Sequence, residues 1–219
     1  EVLAKTGSKT LFVTPDSIFD RFFQDNVWGL NSFDEMNLSQ KRQLLFFSMI
    51  DNAYLIETLS NYYSGGVLNE GQAMRRLTGL SVLDSVPFIE GNKLPKATVW
   101  NRWRTKGMYL LKDNSTKPMV HFLQKYLENV GISDQDFKVM TGADRSYNDA
   151  FIFQHKVIKR DIVCKNGYVN VLDGVMIPRD NMAEYIRSNE NITQFSELLD
   201  RFCAPYHTPG LTTTYNNLH

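Results

Sequence analysis

Three observations along the 219 residues predict an α+β fold. Two β-prone runs flank an Asn-Gly pair in KVIKRDIVCKNGYVNVLDGVMIP, from Lys156 to Pro178. Asn166-Gly167 in that setting signals a hairpin, because both residues tolerate the positive φ of a type I′ turn. Near the start, KTLFVTPDSIFDRFF (Lys9 to Phe23) reads as a strand, a break and a helix. Between these regions, Pro118 to Val130 places Met119, Phe122, Leu123, Tyr126, Leu127 and Val130 on one helical stripe.

In chain order, Thr10 to Val13 is short, apolar and β-prone. Thr14 supplies an N-cap hydroxyl and Pro15 occupies the first helical position, where no amide proton is missed. Ile18, Phe19, Phe22 and Phe23 then share one helix face. Ser39 caps a helix through about Asp51, and Leu44, Leu45, Phe46 and Phe47 make it apolar on more than one side, which predicts burial. Glu70 to Leu77 reads as a short helix ending at Gly79, and Leu80 to Phe88 as a strand stopped by Pro87.

From Ile89 to Gly107 the pattern dissolves into Gly, Pro, Asn and basic residues, an inserted loop, before the strand-like Met108 to Leu111. The Pro118 helix takes Ser115 or Thr116 as cap and Gly131 as stop. Ser133 opens a second helix, SDQDFKVMTG, ending at Gly142. Beyond Pro178, Phe195, Leu198, Leu199 and Phe202 repeat at helical spacing behind Thr193, while His207 to His219 has no periodicity and reads as loop.

The two end motifs together resemble fasciclin-like domains, in which a strand, a Thr/Pro break and a phenylalanine-bearing helix open the conserved part and a strand, an Asn-Gly turn and a strand ending in Pro close it. Thr14, Pro15, Phe19, Asn166, Gly167 and Pro178 carry this resemblance. KPMVHFLQKYLENVGISDQDF followed by DAFIFQHKVIKRDIVCKNGYVNVLDGVMIP is similar to fasciclin-like surface lipoproteins of Bacteroidetes. The resemblance implies a β-sheet wedge packed with several helices over residues 1–188, lacking the usual first helix and carrying the 89–107 insertion. Residues 189–219 are then either the start of a following repeat or a C-terminal helix and tail. Two departures matter: Phe47-Ser48 stands where relatives have Tyr-His, and Asn170 where they often have histidine.

Lys+Arg and Asp+Glu both number 24, so the charge balance makes no electrostatic case for nucleic acid or an anionic membrane surface. Lys156, Lys159 and Arg160 are interrupted by apolar residues and Asp161, as on a solvated strand face. No apolar stretch reaches the roughly 20 residues that span a bilayer, so membrane attachment would come through an anchor outside this sequence.

Motifs for chemistry are sparse. His121, His155, His207 and His219 form neither a two-His helical pair nor a His-carboxylate cluster at metal-ligand spacing. Gly65-Gly66 lacks the context of a phosphate loop, and no Gly-x-Ser-x-Gly elbow occurs. Asp134, Asp136, Asp144 and Asp149 lack the order of EF-hand ligands. Cys164 and Cys203 are expected to be buried free thiols rather than a disulfide framework. Asp16-Ser17-Ile18 and Asp84-Ser85-Val86 match the Asp-Ser-aliphatic triplets that, by the same resemblance, accept O-glycans.

For binding, the loop TVWNRWR (Thr98 to Arg104) sets Trp100 and Trp103 among Arg102 and Arg104, a composition suited to stacking on sugar rings or anchoring an interface; the competing arrangement folds both tryptophans inward over the core. The sequence assigns no catalytic residue, metal or cofactor. The resemblance implies a non-catalytic cell-surface adhesion or recognition module binding protein or glycan. A version of that role is an accessory lipoprotein subunit of an outer-membrane nutrient-uptake complex, exported and lipid-anchored. The opposing expectation is a hydrolase or other enzyme with a site formed between repeats.

Overall fold

A computed structural model describes residues 7–111 and 113–218, apart from the Ser85 side chain. His219 and the Ser85 hydroxyl of the second glycan-acceptor triplet lie outside the described residues. The strands are β1 (Lys9–Val13), β2 (Met49–Ile50), β3 (Tyr62–Ser64), β4 (Val67–Asn69), β5 (Arg75–Leu77), β6 (Phe88–Ile89), β7 (Met108–Tyr109), β8 (Pro118–Phe122), β9 (Phe151–Ile152), β10 (His155–Cys164) and β11 (Gly167–Leu172). The α-helices are α1 (Asp16–Gln24), α2 (Leu38–Phe47), α3 (Gln124–Val130), α4 (Asp134–Thr141), α5 (Met182–Ser188), α6 (Thr193–Phe202) and α7 (Pro209–Leu218).

These elements form two compact units. The first takes the described residues of Glu1–Leu80 with Thr116–Pro178, the second those of Ser81–Ser115 with Arg179–His219.

The first unit is built on a seven-stranded mixed sheet in the order β2-β1-β11-β10-β9-β8-β5. The β1–β11 pair is parallel, from Lys9 opposite Gly167 to Val13 opposite Val171; every other pair in the sheet is antiparallel. The main core gathers Phe12, Phe47, Ile50, Ile56, Leu59, Met119, Leu123, Ile152 and Leu172, among others. A second cluster joins Phe22 and Phe23 of α1 to Met36, Leu44 and Val175. A third packs Phe137 of α4 against Phe122, Leu127 and Phe151.

The expected start of α1 needs correction. The Thr14 hydroxyl does not cap the helix but donates to the Gly174 carbonyl at 2.8 Å, and Pro15 itself stands at the N-cap. That bond ties the β1 exit to the segment after β11, which is why the hydroxyl is not free to cap. The predicted apolar face does form: Phe22 and Phe23 are buried, with Ile18 and Phe19 packed beside them.

Asn37, rather than Ser39, caps α2 through a capping box with Gln40, and the helix ends at Phe47. Phe47 is buried and stacks on Phe153, while the Ser48 carbonyl accepts from the Phe12 amide. Glu70–Leu77 is not a helix; Arg75–Leu77 is strand β5, whose side chains alternate across the sheet. Leu80–Phe88 is likewise not one strand. Ser81 caps a short 3-10 turn over Val82–Ser85 in a box with Asp84, and β6 begins only after Pro87, which has no amide proton to give a ladder.

The largest correction concerns Pro118–Val130. Its first half is strand β8, paired with β5 and β9, and only Gln124–Val130 is helical. Met119 joins the main core while Val120 and Phe122 join the third cluster, so both faces of β8 are covered and the polar alternation that marks a strand is missing. Gly131 stops α3 in the left-handed region as predicted, at φ 72°. α4 also forms as predicted, with a Ser133–Asp136 capping box at one end and Gly142 at φ 75° at the other.

The hairpin is present with a different turn. Cys164 pairs with Gly167, so Lys165 and Asn166 are the corner, and neither has the positive φ of a type I′ turn. Gly167 already belongs to β11, at φ 144°, because β1 runs alongside: a Cβ there would sit 1.8 Å from the Lys9 carbonyl oxygen.

Midway along β10 the register shifts, and Asp161 adopts φ 57°. A positive φ at a non-glycine residue costs about 1–3 kcal/mol and persists only where surrounding bonds fix it. Here the Asp161 amide donates to Asn170 Oδ1 at 2.8 Å, and Asp161 Oδ1 accepts from the Ile56 amide at 2.9 Å. Asn170 is fully buried. Replacing Asn170 with Leu should therefore cost about 2 kcal/mol, since it strands a buried amide proton. A urea midpoint unchanged from wild type would show that the irregularity needs no such tie.

In the second unit β6 pairs with β7, and the 89–107 region is not featureless: 3-10 turns cover Gly91–Lys93 and Thr98–Trp103. The His207–His219 tail also departs from expectation, because Pro209–Leu218 is helix α7. Thr212 and Thr214 return their hydroxyl protons to the carbonyls four residues back, and Tyr215 meets Tyr109 at 5.7 Å between ring centroids. α6 forms over the predicted stripe, with Ile192 rather than the Thr193 side chain at its N-cap. Among the described residues, no helix is long and apolar enough to cross a membrane.

Candidate functional site

α1 and the segment that follows it enclose an open groove of about 580 Å³, lined by Asp16, Phe19, Asp20, Phe23, Gln24, Asn31, Ser32 and Phe33. Helical spacing explains one wall. Asp16, Asp20 and Gln24 lie four residues apart in a row, and Phe19 and Phe23 form the adjacent row toward the buried face. Phe22 anchors the helix from below through an edge contact with Trp28 at 5.9 Å. The other wall is fixed by Glu35, whose Oε2 accepts from the Asn31 backbone amide at 2.8 Å and from its side-chain amide. Phe33 remains 52 % exposed at the lip, with the Lys41 ammonium 4.7 Å over its ring.

The groove thus has an aromatic floor and carboxylates without partners: neither Asp16 nor Asp20 makes a hydrogen bond or ion pair. A concave, mostly apolar surface with a few polar groups is the usual form of a binding site.

The tryptophan loop is placed differently from a protruding anchor. Trp100 is buried, its indole nitrogen has no hydrogen-bond partner, and its ring lies 6.1 Å from Trp103. Trp103 is half-buried, with the exposed Arg102 guanidinium 3.8 Å over its face. Arg104 turns back on its own loop, bonding Asn101 Oδ1 and the Leu94 and Pro95 carbonyls. Gly91 allows that closure, since a Cβ there would lie 1.9 Å from the Arg104 carbonyl oxygen. Of the four residues Arg102 is exposed, Trp103 and Arg104 are half-buried and Trp100 is buried, and Thr98, Val99 and Asn101 of the same loop are exposed as well.

Several carboxylates elsewhere are engaged in ion pairs. Asp134 pairs with Arg145, Asp144 with Lys138, Asp149 with Lys156 and Glu57 with Arg160. The Ser133 hydroxyl and amide hold the Asp136 carboxyl below its usual range. Burial raises the Asp149 carboxyl, but the Lys156 and Ser146 hydrogen bonds and the charges of Lys156 and Arg145 outweigh it, so its pKa falls. Among the described residues, no three His, Cys, Asp or Glu side chains gather to hold a metal.

His121 is fully buried with both ring nitrogens unpartnered; desolvation first, and then the Arg76 charge, bring its pKa down to about 3. Cys164 and Cys203 are free thiols, but contrary to expectation both are exposed. Cys164 closes β10 at the hairpin end, where there is nothing to cover it, and Cys203 sits at the C-cap of α6.

In comparisons with family models and with curated proteins, none matches this chain.

The groove was only half legible in the sequence. Phe19 and Phe23 stand out as core, and Asp16 as a first-turn acid; the repeat of Asp16 at Asp20 is the signal that marks a second, polar row. Asn31, Ser32 and Phe33 carry no local pattern and reach the groove only through folding.

Proposed function

We propose that this chain is a fasciclin-like module of an exported, lipid-anchored surface protein, working without catalysis in adhesion or in recognition of a protein or glycan. The parallel placement of β1 against β11 brings the two signature motifs, around Thr14-Pro15-Phe19 and Asn166-Gly167 to Pro178, into one unit, which supports the family reading. The observation that carries the functional reading is the groove on α1, where aromatic rings and the unpaired carboxylates of Asp16 and Asp20 meet on one open surface. Service as an accessory subunit of an outer-membrane nutrient-uptake complex is one form of this role.

The test is a native pull-down from the source membrane alongside a glycan array, each with wild type and Phe33→Ala. Phe33 is exposed, so its truncation should leave the fold within about 0.5 kcal/mol of wild type. Recovery of a defined surface protein or glycan that falls away with Phe33→Ala supports recognition through the groove. Equal recovery by both proteins, or none by either, overturns it.

A further inference from the structure

We propose that the α1 groove receives a basic segment of a protein partner, with the stem of a Lys or Arg side chain along Phe19 and Phe23 and its cation between Asp16 and Asp20. The inference rests on the recognition role above and specifies what is recognised. Charge complementarity carries it. The groove is lined by two carboxylates and no basic residue, although the chain as a whole has no net charge.

Asp16 gains from the partial positive charge at the start of α1, but Asp20 sits in the second turn, four residues on, where like charges at this spacing repel. With no ion pair of its own, Asp20 is held in an arrangement that a bound cation would relieve.

The hydrogen-bonding inventory points the same way. Carboxylates only accept, and the Asn31 backbone N–H and one of its two side-chain amide protons are already given to Glu35. The groove therefore offers mainly acceptors, matching a guanidinium with five donors or an ammonium with three. A sugar, whose hydroxyls both donate and accept, would find few donors here beyond Gln24, Ser32 and the second Asn31 amide proton. The aromatic floor suits an aliphatic stem ending in a cation, and Lys41 over Phe33 shows a cation resting on one of these rings.

The experiment is a fluorescence-anisotropy titration of the whole chain with a dye-labelled Ala-Arg-Ala-Arg-Ala peptide and its citrulline analogue, which keeps the shape and loses the charge. Wild type, Asp20→Asn, Phe33→Ala and the remote control Asp144→Asn are compared. The expected result is binding of the arginine peptide that weakens about tenfold with citrulline and about tenfold in Asp20→Asn, while Asp144→Asn binds as wild type.

Equal binding of the citrulline peptide, or equal weakening by both Asp variants, overturns the proposal. So does Phe33-dependent binding of a glycan without the arginine peptide, which leaves the recognition role standing with a different ligand. Asp20-dependent self-association in sedimentation velocity would likewise overturn it, in favour of a second copy as occupant. Phe33-independent behaviour toward peptide, glycan and membrane extract alike removes both the inference and the recognition role.

Discussion

Acidification from pH 7 to pH 3 is expected to remove about 4 kcal/mol of folding stability through His121, and His121→Met to abolish that share. The ring is fully buried on β8, flanked by Arg76, whose guanidinium is itself bound to the Leu59 and Asn61 carbonyls and stacked on Tyr54. A proton arriving on His121 would place a second cation beside Arg76 in a fully buried site.

Its pKa accordingly falls from 6.5 to about 3. Because the folded value is depressed, the unfolded chain binds the proton more readily throughout that window. Stability is intact above pH 6.5 and drains away as pH falls toward 3. Asp149 and Asp136 are also depressed, but their share is lost lower, below the ordinary carboxylate range. The interval from pH 6.5 to 4.5 therefore isolates the histidine. Urea unfolding across it should show wild type losing stability while His121→Met stays nearly flat. At pH 7 the variant should equal or exceed wild type, since two unpartnered buried nitrogens are exchanged for a thioether of similar volume. Parallel curves for the two proteins would rule out a buried neutral His121.

Gly167→Ala is expected to cost about 3–5 kcal/mol, against about 1 kcal/mol for Gly131→Ala. Both glycines have positive φ, but nothing lies within 4 Å of a Cβ at Gly131, whereas at Gly167 it would sit 1.8 Å from the Lys9 carbonyl oxygen. That contact sets a Cβ, fixed by its own backbone, against the backbone of β1. It can be relieved only by moving β1 away from β11, which breaks the Lys9 amide bond to the Asn166 carbonyl at 2.9 Å and the parallel ladder after it. Amide exchange should accordingly lose protection over Thr10 to Val13 in Gly167→Ala and not in Gly131→Ala. Equal costs for the two substitutions would show that φ alone matters at this position.

Gly167 also illustrates what the sequence conceals. The Asn-Gly pair announces a hairpin, and a hairpin is there; the demand on the glycine comes from a strand at the other end of the chain and not from the turn. Signals confined to a few residues were readable for this reason: the Ser133–Asp136 box, the Gly131 and Gly142 stops, and the phenylalanine row of α1 all act within one or two turns. β8 was not readable, because a strand buried on both faces shows an unbroken apolar run that merges with the stripe of α3. Likewise, the aromatic floor of the groove could be read from α1, while its far wall depends on Glu35 folding Asn31 back.

The bond from Thr14 to Gly174 joins residues 160 positions apart, and β1 has only the two-residue β2 on its other side. β1 is therefore synthesised long before the parallel strand it pairs with. Until Gly167 to Leu172 emerges, Lys9 to Val13 has no long edge to add to, and the nascent chain stays open while some 150 residues pass. Sheet closure by contacts this far apart in sequence slows folding. It also gives any factor that handles unfolded chains a defined interval in which to engage this one, ended by the docking of a single five-residue strand.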